Sequence, residues 1–426
     1  MTPTRRVVAL VLLAGVFIME GFDIAAMSIA VPRLEGALGL APANFGWVFT
    51  ALLIGLGAGG ALIAPLGDKW GRRTLIVAGC LGTGLATLAT ASASSIAEFL
   101  AWRLLTGLAL GACLPNVSAL SSELAPEKMR ATVMAVVSAG IPLGLSVAGI
   151  AAPTLIGAAG WQGMFLVPGS FAVVLALVLF ATLEGGLPAG AEPARAAGSR
   201  LPQLELFRAP WLFPFAVFAA MLAFNALNLY LLNSWLPTVL PGAGLSLDAA
   251  AQVAGVANLA GLAIGVAASV LVDRWHKGLT LILMFALMAA SFGSILMLDE
   301  AALHTVVLPP LDLWFVRTPG LDLFTLLLMV GVGGANAGGM VLPGLAAYLF
   351  PARLLSSAVG MGVLVARLGA FAGPPLGGAM IAAGVPAGTF LSVAALPALV
   401  CAAIALLVTA ALAVKRRESS PEAALA

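Results

Sequence analysis

Twelve apolar runs, most about 20 residues long and separated by short polar breaks, constrain this chain more than any other feature. A backbone carried through hydrocarbon must satisfy its own N–H and C=O groups, and a run of that length does so only as a helix. The runs fall at 7–31, 45–65, 74–93, 99–121, 131–155 and 164–183, then at 211–234, 250–272, 279–298, 323–345, 356–382 and 389–414. Composition agrees: 62% of the chain is apolar and only 9% is charged, against about 25% charged in soluble domains. So few charges cannot cover a water-facing surface. The expected fold is an all-α membrane protein with twelve transmembrane helices.

Basic residues fix the expected orientation. With the N-terminus in the cytoplasm, Arg5, Arg6, Lys69, Arg72, Arg73, Lys128, Arg130, Arg195, Arg200, Arg208, Arg274, Lys277, Arg353, Lys415, Arg416 and Arg417 all lie on the inner side. Only Arg33 and Arg317 remain on outer connections, as the positive-inside rule requires. Both termini are therefore expected in the cytoplasm of a bacterial-type inner (plasma) membrane, and the first run reads as an uncleaved signal anchor. Residues 184–210, rich in Gly, Pro, Ala and charge, read as a flexible cytoplasmic linker between bundles 1–183 and 211–426. Residues 299–320 form a long outer loop. Cys80, Cys113 and Cys401 sit in apolar runs and read as small buried hydrophobes. A net charge of +2 gives no reason to expect nucleic acid, and no nucleotide-binding motif, catalytic triad, metal cluster or cofactor signature is present, so the chain is not read as an enzyme.

A repeat supports two related halves. Leu66-Gly67-Asp68-Lys69-Trp70-Gly71-Arg72-Arg73 follows the second run, and Leu271-Val272-Asp273-Arg274-Trp275-His276-Lys277-Gly278 follows the eighth. The first copy resembles the cytoplasmic signature of the major facilitator superfamily. The resemblance implies two pseudo-symmetric six-helix bundles and a gating role for Gly67, Asp68, Gly71, Arg72, Arg73, Asp273 and Arg274. Parallel halves of this kind place a binding site at the midplane between them.

Ionisable side chains inside a span are costly and mark function by default. Four stand out: Glu20 and Asp23 in the first run, Arg103 in the fourth and Arg367 in the eleventh. Glu20 and Asp23 share one helix face. With Arg103-Leu104-Leu105-Thr106-Gly107, Tyr230-Leu231-Leu232-Asn233-Ser234-Trp235-Leu236-Pro237-Thr238 and Arg367-Leu368-Gly369, these stretches are similar to the aromatic acid:proton symporter branch of that superfamily. The resemblance implies proton coupling at Asp23 and Glu20 and anion binding at Arg103 and Arg367. The chain departs from that branch at Glu20, usually Asp, and at Gln162, usually Arg. Independent chemistry agrees in outline: an organic carboxylate needs a guanidinium to grip, and a coupled carrier needs an acid that gains and loses a proton. The alternative is that Asp23 and Arg103 form an internal salt bridge.

Asn116, Asn225, Asn228, Tyr230, Asn233, Trp235, Asn258 and Asn336 are polar residues in apolar runs, each an interhelix hydrogen bond or a substrate contact. The substrate-binding set expected here is Arg103, Arg367, Tyr230, Asn233, Trp235, Asn116 and Asn336. The expected function is proton-coupled uptake of a small organic anion, an aromatic carboxylate of the benzoate type, by a monomer in a lipid bilayer. An exporter of the same superfamily and a non-transporting receptor remain alternatives.

Overall fold

The computed structural model describes residues 3–183, 202–298, 305–308, 312–313, 316–317 and 321–418. The spans of the first half are α1 (Pro3–Leu38), α2 (Gly46–Ala58), α3 (Arg72–Thr90), α4 (Ile96–Leu124), α5 (Arg130–Ser138 and Gly140–Ala159) and α6 (Gly163–Thr182). Those of the second are α7 (Leu212–Val239), α8 (Leu247–Arg274), α9 (Lys277–Met297), α10 (Leu323–Leu349), α11 (Ala352–Ala382) and α12 (Ala387–Val393 and Ala395–Glu418). Among the described residues, eleven stretches are long and apolar enough to cross a bilayer, and one of them, Thr132–Thr182, is 51 residues long. It turns back at Gly160, whose φ of +63° suits a residue without a Cβ, so it makes two passes and the total is twelve.

The helices overrun the apolar spans. α7 runs past Ser234 to Val239, and α11 begins at Ala352 rather than Ser356. Hydrogen bonding keeps a backbone helical beyond the apolar stretch that signals it. Ser246 and Asp322 start α8 and α10 by accepting from the N–H groups of Ala249 and Thr325, at 3.1 and 2.8 Å. Within residues 299–320 the described parts form short antiparallel strands, β1 (Val306–Leu308), β2 (Asp312–Leu313) and β3 (Val316–Arg317). β2 pairs with β3, and β1 pairs with β4 (Leu321–Asp322), which leads into α10.

The two halves repeat one packing scheme. α1 packs on α5 as α7 packs on α11, α2 on α4 as α8 on α10, and α3 on α6 as α9 on α12. Small residues allow the close approach. A methyl group at Gly21 or Gly144 would strike the backbone of Ile141 or Ile18, and one at Gly369 would strike Ala223. The expected linker lies outside the described residues over 184–201. Its last part is docked rather than loose: Glu205 pairs with Arg353 at 2.7 Å, and Leu206 is fully buried.

Packing between the halves runs through α1 with α7, α2 with α11 and α5 with α8. The seam is tightest away from the Asp68–Arg73 turn. There the Trp235 indole N–H donates to Pro374 O at 2.8 Å, and Phe49 meets Trp235 edge-on at 5.2 Å. Gly149 and Gly255 bring α5 and α8 together, and Arg33 pairs with Asp248 at 2.6 Å.

Candidate functional site

A cavity of about 680 Å³ lies between the halves, on the Asp68–Arg73 side of that seam. Residues of α1, α2, α4 and α5 line one wall, and Tyr230 of α7 with Gly360, Val363, Leu364 and Arg367 of α11 line the other. Its polar side chains are Glu20, Ser118, Tyr230 and Arg367; the rest is apolar or glycine. Glu20, Tyr230 and Arg367 face this same space, and Glu20 and Arg367 do not close into an ion pair within 4 Å. Glu20 is 6% exposed, and its Oε2 has no hydrogen-bond partner. A carboxylate and a guanidinium from opposite halves thus meet at a space large enough for a small organic molecule.

Asp23, one turn along α1, is in a different environment. Arg103 donates to it twice, from Nη1 to Oδ2 at 2.8 Å and from Nη2 to Oδ1 at 3.2 Å. Both side chains are 1% exposed. The Thr87 hydroxyl donates to Asp23 Oδ1 at 2.9 Å, Arg103 Nη2 also reaches Thr90 Oγ1 at 3.3 Å, and the guanidinium stands 5.5 Å from the Phe165 ring. Neither residue lines the cavity. This is the internal salt bridge, built across α1, α3, α4 and α6.

The remaining expected residues divide the same way. Asn116 Nδ2 donates to Ala64 O at 3.1 Å and to Ala112 O at 2.9 Å, tying α4 to the end of α2. Asn336 Nδ2 donates to Asn258 Oδ1 at 3.1 Å, joining α10 to α8. Trp235 is fully buried in the seam, and Asn233 is half-buried off the cavity wall. Asn116, Asn336, Trp235 and Asn233 therefore do not reach the cavity as the substrate contacts expected of them; packing between helices takes up the first three.

At the repeated turns, Gly71 has a φ of +88°, and Gly67 packs directly on Asn116. Asp68 lies 3.7 Å from Arg72, which also pairs with Glu123, and Arg73 donates to Phe180 O and stacks on the Phe180 ring. In the second copy Asp273 accepts from the Tyr348 hydroxyl at 3.4 Å, Lys277 sits 3.4 Å from the Tyr348 ring centroid, and Arg274 is exposed. Both turns carry a cation–π contact, and among the described residues the acid of the second turn meets a tyrosine hydroxyl where that of the first lies near an arginine.

Sequence reasoning missed Thr87, Thr90 and Phe165 around Arg103. The available signal was a row of threonines at 83, 87 and 90, spaced to share one face of an otherwise apolar helix. It also missed the cavity-lining Ser118, Gly60, Gly111 and Pro115, which carry no charge.

A twelve-helix bundle in two repeated halves, with opposed charges facing a space between them, is the construction of a secondary membrane transporter rather than an enzyme. The chain belongs to the Major Facilitator Superfamily, whose sequence model matches residues 13–316. It is 30% identical to the 4-hydroxybenzoate transporter PcaK of Pseudomonas aeruginosa, over 91% of this chain and 89% of that one. It is 31% identical to the 3-(3-hydroxy-phenyl)propionate transporter of Escherichia coli, over 90% of each chain. A gallate transporter of Pseudomonas putida is 28% identical, over 93% of this chain and 90% of that one. Among solved structures, a bacterial homolog of the human lysosomal transporter Spinster, in an inward-facing and occupied conformation, superposes with a TM-score of 0.74 at 15% identity, covering 96% of this chain and 98% of that one. A D-xylose-proton symporter gives 0.70 at 18% identity, covering 94% and 96%. These two share the fold.

Proposed function

We propose that the protein takes up small aromatic carboxylates of the benzoate or hydroxybenzoate type together with protons, by alternating access. The observation that carries the reading is the convergence of Glu20 and Arg367, from opposite halves, on one cavity. Arg367 is the anchor for the carboxylate, which a guanidinium grips through two parallel hydrogen bonds. Tyr230 stands beside it and orients the anion. With Glu20 ionised, its charge offsets that of Arg367 across the cavity. A proton on Glu20 leaves the Arg367 charge uncompensated for an incoming anion, so proton and anion load together. Asp23 and Arg103, expected from the sequence to serve coupling and binding, act here as a brace that holds α1 in place. Bundles 1–183 and 211–426 are the two moving bodies, joined through 184–210.

With both termini in the cytoplasm of a bacterial inner membrane, the Asp68–Arg73 turn is cytoplasmic and the cavity opens inward. Trp235, the Gly149–Gly255 crossing and Arg33–Asp248 then close the outer side. The turns at 67–73 and 273–274 act as the inner gate, and the monomer is the working unit.

The test is uptake of benzoate and 4-hydroxybenzoate by proteoliposomes under an imposed inward proton gradient. Accumulation above equilibrium, abolished by a protonophore, is expected. Export driven by the same gradient would reassign the protein as an antiporter. Binding without flux would make it a receptor.

A further inference from the structure

We propose that the main-chain carbonyl of Gly111, released from the hydrogen-bonding pattern of α4 by Pro115, is the acceptor that reads a ring hydroxyl on the carried acid. The inference rests on the substrate reading above and deepens it. Pro115 has no N–H, so the Gly111 carbonyl lacks its normal partner one turn on. Both residues line the cavity. An unpaired carbonyl is costly in hydrocarbon, and such backbone is tolerated where it lines a chamber that can supply a donor.

The opposite helix is irregular at the same place. α2 passes into a π-helical turn over Gly59–Ile63, where the N–H of Ala64 bonds back five residues to Gly59 O. Turns of this kind inside helices recur at functional sites. Gly60 lies on that turn and faces the cavity, and a methyl group placed on it would stand 3.7 Å from Gly111 O. Gly60 thus places no side chain beside that oxygen, although the α2 backbone at Leu56 and Gly60 packs closely on Gly111 itself. Asn116 stitches the irregular stretch together through Ala64 O and Ala112 O, and neither of its donor contacts goes to Gly111.

Depth matches as well. Helix rise puts Gly111 about 20 Å along α4 from its Leu124 end, and Arg367 about 22 Å along α11 from its Ala352 end. An acid held by Arg367 thus lies across the cavity with its far edge toward α4. Ser118, about 9 Å from the Leu124 end, sits nearer the mouth. A phenolic O–H donates to the bare carbonyl, while an unsubstituted ring leaves it unpaired, so the site discriminates between the two acids.

The test compares affinities of the purified protein for benzoate and 4-hydroxybenzoate. The wild type is expected to prefer the hydroxylated acid. Pro115→Ala restores an N–H that competes for the oxygen, and the preference is expected to fall about tenfold, the worth of one hydrogen bond. Gly60→Ala crowds the same oxygen at an ordinary contact distance and is expected to reduce the preference without relying on a change in α4. Equal loss of both acids in the two variants, or an unchanged preference, overturns the proposal. If the wild type binds both acids equally, this inference alone falls. If it binds neither, the substrate reading falls and takes the inference with it.

Discussion

Two acids one turn apart on α1 face different arginines, and they differ in whether acid and arginine touch. Asp23 and Arg103 close on each other within the first half through two hydrogen bonds, with Thr87 and Thr90 filling further positions. Glu20 and Arg367 come from different halves and face one cavity without closing into an ion pair, and Glu20 Oε2 has no hydrogen-bond partner. The contrast is therefore one of contact rather than of complete satisfaction, since Arg103 Nε is also buried without a partner. Under the proposed function, the closed pair braces the helices that carry it, and the open one is available to a proton and an anion.

The largest expected effect is on the brace. Asp23→Asn leaves Arg103 charged and uncompensated in the bundle, which costs about 3–5 kcal/mol. The measurement is unfolding of the purified variant in detergent. Replacing both partners by apolar residues of similar size (Asp23→Leu with Arg103→Met) should recover most of that loss, and the double variant should still accumulate substrate. A stable Asp23→Asn protein that exchanges substrate but cannot accumulate it would break the comparison by moving coupling to Asp23.

Next in size is Arg367→Ala, which removes the charged donor in the cavity. Affinity for benzoate should fall roughly 10- to 150-fold, the worth of a charged hydrogen bond, with unfolding little changed because Arg367 is only half-buried. Arg367→Lys should restore part of the binding, since an ammonium keeps the charge but not the two-pronged grip. Equilibrium binding to the three proteins decides it.

Glu20→Gln keeps the shape and removes the proton site. Exchange of labelled for unlabelled substrate across the membrane should persist, and accumulation driven by a pH gradient should disappear. Stability should change by less than about 1 kcal/mol, since one Glu20 oxygen is already without a partner. Continued accumulation at the wild-type level would remove Glu20 from the coupling step.

Much of this architecture was legible in the sequence, because bilayer thickness sets the length of an apolar run and charges inside one are conspicuous. The four intramembrane charges could be found that way, but their pairing could not. Glu20 and Asp23 lie on one face of α1, and which arginine each meets depends on how Gly21 and Gly144 let α1 settle on α5. The asparagines were visible as polar residues in apolar runs; whether each faces a helix or a cavity is a property of the neighbouring helix. Pro115 was visible too, but its consequence depends on the π turn at Gly59–Ile63 in another helix, which no local pattern announces.

The smallest expected effect is at the far end of the seam, where a third acid–arginine pair also joins the halves. Arg33 donates from Nη1 to Ile29 O at 2.9 Å and from Nη2 to Asp248 at 2.6 Å. Asp248 is largely exposed, so solvent and salt screen the pair, and exposed pairs of this sort contribute about 0.2–1 kcal/mol. Asp248→Asn should therefore shift the balance between conformations open to the two sides by no more than about fivefold, toward the state in which this seam is parted. High salt should produce the same shift in the wild type and almost none in the variant. Distances between spin labels on the α1–α2 and α7–α8 connections would measure the populations. A shift larger than tenfold would mean that the pair, rather than Trp235 and the Gly149–Gly255 crossing, holds the seam closed, and the distinction between a closed pair within one half and an open pair across the cavity would need a third class.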